Sequence, residues 1–197
     1  MTNADRRSVA VAGHTGDATA AAAGLTNPDP KVRATALGAM QRLTLLTDGQ
    51  LAEALRDESP AVRRRAAEVA AAHPEVDLCE VLNDDDQTVV EMAAWACGEH
   101  EANDDPVIAQ LTALASSADD ALVREAAVAA LGAIGDPRSV EVIITATQDK
   151  PAVRRRAVLA LAPFDGSDVE AAIERALTDR DWQVRQAAED LRRAQNL

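Results

Sequence analysis

Residues 95–105 read WACGEHEANDD and place a thiol (Cys97), an imidazole (His100) and four carboxylates (Glu99, Glu101, Asp104, Asp105) within eleven positions. These are the side-chain types that hold zinc and other transition metals. His100 and Glu101 are adjacent, a pairing that some helical metalloenzymes use. A metal site requires that such groups converge, and that depends on the elements carrying them.

Composition limits what those elements are. Of 197 residues, 47% are apolar but only 2% aromatic: Trp95, Trp182 and Phe164, with no tyrosine. A core of Ala, Leu and Val suits closely packed helices better than a sandwich around bulky rings. The net charge of −13 opposes a phosphate backbone, so nucleic acid is not the expected partner. Lys31 and Lys150 are the only lysines among 20 basic residues. Cys79 and Cys97, amid apolar neighbours, read as reduced core thiols of a cytoplasmic protein. No run is long and apolar enough for a membrane helix, and Ser8–Gly13 is too short for the apolar part of a signal peptide.

One segment recurs: DPKVRATAL, SPAVRRRAA, DQTVVEMAA, DALVREAAV, KPAVRRRAV and DWQVRQAAE. Its valines are Val32, Val62, Val89, Val123, Val153 and Val184, spaced 30, 27, 34, 30 and 31 residues apart. Three residues before the valine stand Asp29, Ser59, Asp86, Asp120 and Asp181, all helix N-cap types, with Lys150 the exception. Pro30, Pro60 and Pro151 follow where proline fits a first helical turn. Four residues after the valine is always alanine (Ala36, Ala66, Ala93, Ala127, Ala157, Ala188), as helix contact requires. Apolar residues then continue along one helical face, as at Ala130, Leu131 and Ile134. Turn residues come next, followed by second helices expected from Leu51, Glu75, Pro106, Val140 and Val169.

The pattern predicts an all-α, right-handed α-solenoid of about six helix-turn-helix repeats, a single domain over 1–197. The expected repeats are a degenerate first one at 4–25, then 26–57, 58–84, 85–117, 118–149 and 150–179, with a capping helix at 181–195. VREAAVAALGAIGDPRSVEVI (123–143) resembles a HEAT-like repeat of the phycobilisome-lyase type, and the likeness extends over nearly the whole chain. That resemblance implies a fold used by scaffolds, chaperone-like lyase subunits and a few enzymes.

HEAT-like proteins are known for Asp–Arg ladders between neighbouring repeats. The matching residues here are Arg33, Arg63, Arg124, Arg154 and Arg185, one after each valine, with Val90 the exception. Their expected partners are Asp57, Asp84, Asp149 and Asp179. The competing reading is an anion site, favoured by the triplets Arg63-Arg64-Arg65 and Arg154-Arg155-Arg156. The ladder is preferred, because each arginine has an acid nearby.

Enzyme readings fare poorly. The HEAT-like deoxyhypusine hydroxylases need several His-Glu pairs, whereas only His100 of the three histidines precedes a glutamate. HEAT-like alkylpurine glycosylases need a basic, aromatic surface, which the composition opposes. No Gly-rich phosphate loop, nucleophile elbow or metal-spaced cysteine pair is present. The chain therefore reads as no enzyme, with no cofactor and no metal. The expected function is a protein-interaction scaffold or adaptor; the alternative is a subunit of a lyase-type complex resembling bilin lyases.

The resemblance implies first helices on the convex side and second helices on the concave side. The second helices carry Glu53, Glu75, Asp77, Glu80, Glu141, Glu170 and Glu174, which predicts an acidic concave surface for a basic partner segment. Met92 and Trp95, three apart on a first helix, are a candidate apolar anchor for a partner. Placed in repeat register, WACGEHEANDD comes apart: Cys97 takes a core position, His100 a helix end, and Glu101–Asp105 a turn. His73 holds the register of His100 one repeat earlier, which leaves a stacked histidine pair as the remaining metal or pH-sensing idea.

Overall fold

The computed structural model describes residues 5–101 and 104–195. The start of the expected first repeat at residue 4, and residues 102–103 of the expected turn, lie outside the described residues. The described residues form twelve α-helices and no β-strand. The chain divides into two compact units, with the division between Ala93 and Ala94.

In the first unit lie α1 (Arg6–Thr15), α2 (Ala18–Ala23), α3 (Pro30–Arg42), α4 (Asp48–Ala54) and α5 (Pro60–Ala70). Helix α3 packs against α1 and α5, and α4 against α5. Helix α6 (Gln87–Glu99) contains the division point. The second unit continues with α7 (Asp105–Ser117), α8 (Ala121–Ile134), α9 (Val140–Ala146), α10 (Pro151–Ala160), α11 (Ser167–Ala176) and α12 (Trp182–Gln195). There α10 packs between α8 and α12, while α9 packs against α7 and α11. Each unit thus has a row of first helices with second elements packed against them.

The recurrent residues explain the row. The six repeat valines are all buried, and the alanines four residues on are each 0% exposed. Each valine contributes about 1.5–3 kcal/mol by leaving water, and each alanine leaves room for a neighbouring helix. A second close-approach device stands nine residues after the valine. A Cβ on Gly98 would lie 3.0 Å from the Cα of Ala130, and one on Gly132 only 2.6 Å from the Cα of Ala160. Gly13 meets Ala39 in the same way at 2.8 Å. The helix backbones touch at these points, so only glycine fits.

Asp29, Asp86, Asp120 and Asp181 cap their helices, accepting from the amides of Lys31, Thr88, Leu122 and Gln183. Ser59 stands at the N-cap of α5 but its side chain makes no capping bond, contrary to the sequence expectation. Pro60 at the next position already lacks an amide hydrogen and fixes the entry angle.

A larger correction falls in the repeat at 58–84. The second helix expected from Glu75 does not form; residues 74–80 run through turns to a short 3-10 segment, Val81–Asn83. The 27-residue valine spacing is the shortest in the chain and leaves too few residues for a full helical pair. Turn hydrogen bonds from His73 to Ala70 and from Val76 to His73 replace an α-helical ladder. The Asp77 carboxylate accepts from the Cys79 amide at 2.8 Å, an Asx turn that competes with a helix. Val76, Leu78, Val81 and Leu82 are nevertheless buried, so the segment fills the place of the helix without its backbone.

Candidate functional site

The arginines after the repeat valines all point into the loops. Arg33 grips Asp57 with two bonds, Nε to Oδ2 at 2.7 Å and Nη2 to Oδ1 at 2.8 Å. Arg63 grips Asp84 at 2.6 and 2.8 Å, Arg124 grips Asp149 at 2.6 and 2.8 Å, and Arg154 grips Asp179 at 2.9 and 2.8 Å. The remaining Nη1 of each donates to the backbone ahead of its own helix, as from Arg63 to the Asp57 carbonyl and from Arg124 to the Ala118 carbonyl. Each aspartate in turn accepts a loop amide: Ser59 for Asp57, Asp86 for Asp84, Lys150 for Asp149 and Asp181 for Asp179. One guanidinium therefore ties two successive loops, using the planar fork that lysine lacks.

Charge follows geometry. The facing guanidinium holds the carboxyls of Asp84, Asp149 and Asp179 below the ordinary carboxylate range, against the opposing effect of burial. At Asp57 burial is the largest influence and acts upward, but the Arg33 bond and the Ser59 amide outweigh it. Arg185 lacks a carboxylate among the described residues and donates to the carbonyls of Asp179 and Arg180. The sequence exception at Val90 is a buried apolar side chain, and the loop before α8 carries Ala118 where Asn27, Asp57, Asp84 and Asp179 stand relative to their valines.

The acids expected to meet a partner divide into two groups. Glu80 pairs with Arg56 at 3.0 Å, Glu170 pairs with Arg192 at 2.6 Å, and Glu174 bonds the same guanidinium. These three are partly neutralised within the chain, which the sequence pattern did not reveal because their partners lie 18 to 24 residues away. Glu53, Glu75 and Glu141 are exposed, and among the described residues their side chains form no ion pair. Asp77 is exposed while capping Cys79.

In the first unit, a groove of about 390 Å³ runs between α4 and the 75–84 segment. Its walls include Asp48, Arg56, Glu75, Asp77, Glu80 and Asp84. One of its walls is the turn and 3-10 segment that stands where a second helix was expected.

Met92 is half-buried and Trp95 is 41% exposed. Trp182 is 65% exposed at the start of α12, a larger apolar exposure that the repeat register gave no reason to select.

The residues of WACGEHEANDD separate. Cys97 is buried, Glu99 and Glu101 are exposed, and Asp105 bonds Arg138 at 2.5 Å. Glu101 has φ 50°, the left-handed turn that stops α6. Among the described residues, no cluster of three or more His, Cys, Asp or Glu is placed to hold a metal ion. His73 has both ring nitrogens engaged, Nδ1 at 2.7 Å from Asp48 and Nε2 at 2.7 Å from Gln41. A metal would have to break one of those contacts. The arginine triplets are partly paired too, Arg65 with Glu68 at 2.7 Å, and Arg155 and Arg156 with Glu125 at 3.8 and 3.7 Å.

Residues 75–152 match the family model described as HEAT repeats. That description is of HEAT repeats at large and does not name the phycobilisome-lyase subtype. Comparison with the curated proteins finds no match. Among solved structures, the chain is similar to the Escherichia coli protein YibA, at 18% identity and a TM-score of 0.67 over 95% of this chain and 74% of that one. It is similar to a designed armadillo repeat protein, YIII(Dq.V1)4CPAF, in complex with the peptide (KR)4, at 18% identity and a TM-score of 0.63 over 88% of this chain and 97% of that one. A related designed armadillo repeat protein, YIII(Dq)4CqI, is similar at 18% identity and a TM-score of 0.60 over 87% and 96%. No helix of the described residues is long and apolar enough to cross a membrane. Residues 75–152 are thus similar to HEAT repeats, and the all-helical fold of the chain is similar to that of the designed armadillo repeat proteins.

Proposed function

We propose that this chain is a non-enzymatic protein-interaction module, a cytoplasmic scaffold or adaptor that works as one array over 1–197. Its binding element is the groove beside α4, and its ligand is a basic segment of another protein. The observation that carries this reading is the set of carboxylates lining that groove, with Glu75 and Asp77 exposed and free of ion pairs among the described residues. Glu53 on α4 adds to the charge of the first unit, and Glu141 is an exposed acid of the second, where Glu170 and Glu174 are partly neutralised by Arg192. The ladder arginines keep the loops rigid, so the binding groups are held in place before a partner arrives. A designed protein of similar fold is in complex with a peptide of alternating Lys and Arg, which supports the choice of a basic ligand. Met92 and Trp95 on α6 offer an apolar contact to a partner. Cys79 and Cys97 are thiols rather than a disulfide, which fits a reducing compartment.

Calorimetric titration with an alternating Lys-Arg octapeptide tests the reading. Binding is expected to weaken as salt rises, since exposed charges are screened beyond roughly 10 Å at 0.1 M ionic strength. Combining Glu75→Gln with Asp77→Asn is expected to weaken it about tenfold, equal to 1.4 kcal/mol. The asparagine keeps an acceptor for the Cys79 amide, so the turn survives. No binding at low salt, or binding indifferent to salt, removes the electrostatic groove.

A further inference from the structure

A second groove, of about 490 Å³, crosses α1, α3 and α5 in the first unit, and its charge is opposite. Arg6, His14, Lys31, Arg42, Arg64 and Arg65 line it, and no carboxylate does. This arrangement stands out in a chain with 33 acids and 20 basic residues. Among the described residues, the side chains of Arg6, Lys31, Arg42 and Arg64 form no ion pair. All four are exposed. They differ in this from the ladder arginines, each of which is spent on loop groups.

Two carboxylates close in sequence to these cations serve as helix caps. Asp5 accepts from the Ser8 amide and Asp29 from the Lys31 amide, so both are used as helix caps. Among the described residues, Glu68, which bonds Arg65 at 2.7 Å, is the single acid ion-paired with the set.

The floor is shaped for these side chains. Gly38 holds the position six residues after its valine, where the other repeats have Glu68, Trp95, Ala129, Leu159 and Asp190. A Cβ there would lie 2.2 Å from Nη2 of Arg65. The missing side chain is what allows the Arg65 guanidinium to lie against α3.

We infer that this groove is a docking site for an acidic peptide segment of a partner protein, separate from the carboxylate-lined groove beside α4. Cations from three successive helices are spread along the groove. Packed helix axes are about 8–10 Å apart, so three helices span roughly 20 Å. An extended strand rises about 3.3 Å per residue, so about six residues cross that span. Aspartate or glutamate on alternate positions then faces the arginine forks, which take carboxylates in two bonds. A long polyphosphate meets the field of a −13 chain along its whole length, whereas a short acidic segment meets only the groove. The module thus holds one partner by basic residues and a second by acidic ones.

Calorimetry with hexaglutamate on the full chain tests this, using wild type and the double variant Lys31→Glu with Arg64→Glu. Both side chains are exposed, and circular dichroism checks that the helices remain. The expected result is hexaglutamate binding at low salt that drops at least about tenfold in the variant, or 1.4 kcal/mol. Binding of the Lys-Arg octapeptide stays unchanged in that variant, because its groove is a different one. The inference is overturned if hexaglutamate gives no heat, or if the variant binds it as well as wild type. It is equally overturned if oligothymidylate of matched charge binds more tightly through the same residues, or if sedimentation shows a wild-type dimer that the variant loses. The first of those two results makes the site one for nucleic acid; the second makes its occupant another copy of the chain.

Discussion

Replacing Arg154 with leucine isolates what one rung of the ladder contributes. Arg154 is 5% exposed, bonds Asp179 twice at 2.9 and 2.8 Å, and reaches the Asp149 carbonyl at 2.8 Å. Leucine removes all three bonds and leaves the Asp179 carboxylate with the Asp181 amide as its remaining partner among the described residues. Breaking a buried pair from one side costs about 3–5 kcal/mol. Asp179 retains some access to water, which places the expected loss near the lower limit, about 3 kcal/mol. With a urea m-value of about 2 kcal/mol/M, the midpoint falls by about 1.5 M. Urea titration followed by circular dichroism measures it, and Arg185→Leu is the control. Arg185 donates only to two carbonyls, so its loss costs about 1 kcal/mol. Combining Arg154→Leu with Asp179→Leu removes both charges and is expected to be milder than the sum of the single changes by more than about 2 kcal/mol. If Arg154→Leu costs no more than the control, or if the double change is simply additive, the rung is a surface decoration and the ladder argument fails.

The same carboxyls give a pH dependence with a definite sign. Asp57, Asp84, Asp149 and Asp179 titrate below their ordinary value in the folded chain. Their contribution is therefore complete above about pH 4, the unfolded value, and is lost as pH falls through the folded values. Urea midpoints should drop below about pH 4, and the deficit of Arg154→Leu relative to wild type should shrink there. Two glycines make a contrasting pair. Gly132→Ala drives a Cβ to 2.6 Å from the Ala160 backbone and should cost about 1–2 kcal/mol after the helix propensity of alanine is credited. Gly49→Ala, in α4 with no atom within 4 Å of the new Cβ, should stabilise by about 0.5–1 kcal/mol. Melting temperatures that move in the same direction for both would refute the close-approach reading of Gly132.

The repeat was legible because burial repeats with it. Valine and alanine recur at fixed offsets since each first helix meets its neighbour in the same way, and the alanines are 0% exposed throughout. Partners of the ladder could be named for the same reason, being groups that return once per repeat. The second element of 58–84 was not legible. Its residues have helical apolar content, yet the 27-residue spacing and the Asp77 turn decide against a helix. The state of individual acids was hidden as well, because Arg192 reaches Glu170 and Glu174 from another element.

Sequence alone determined the helical period, the run of first helices and most of the residues that cap them, because those are local or strictly repeated interactions. Only the tertiary structure decided which charges are spent and which are free. Ladder and groove arginines have the same chemistry in the sequence. Arg63 is consumed by Asp84, while Arg64 beside it meets no carboxylate among the described residues, because a helix turns successive side chains by about 100° onto different faces.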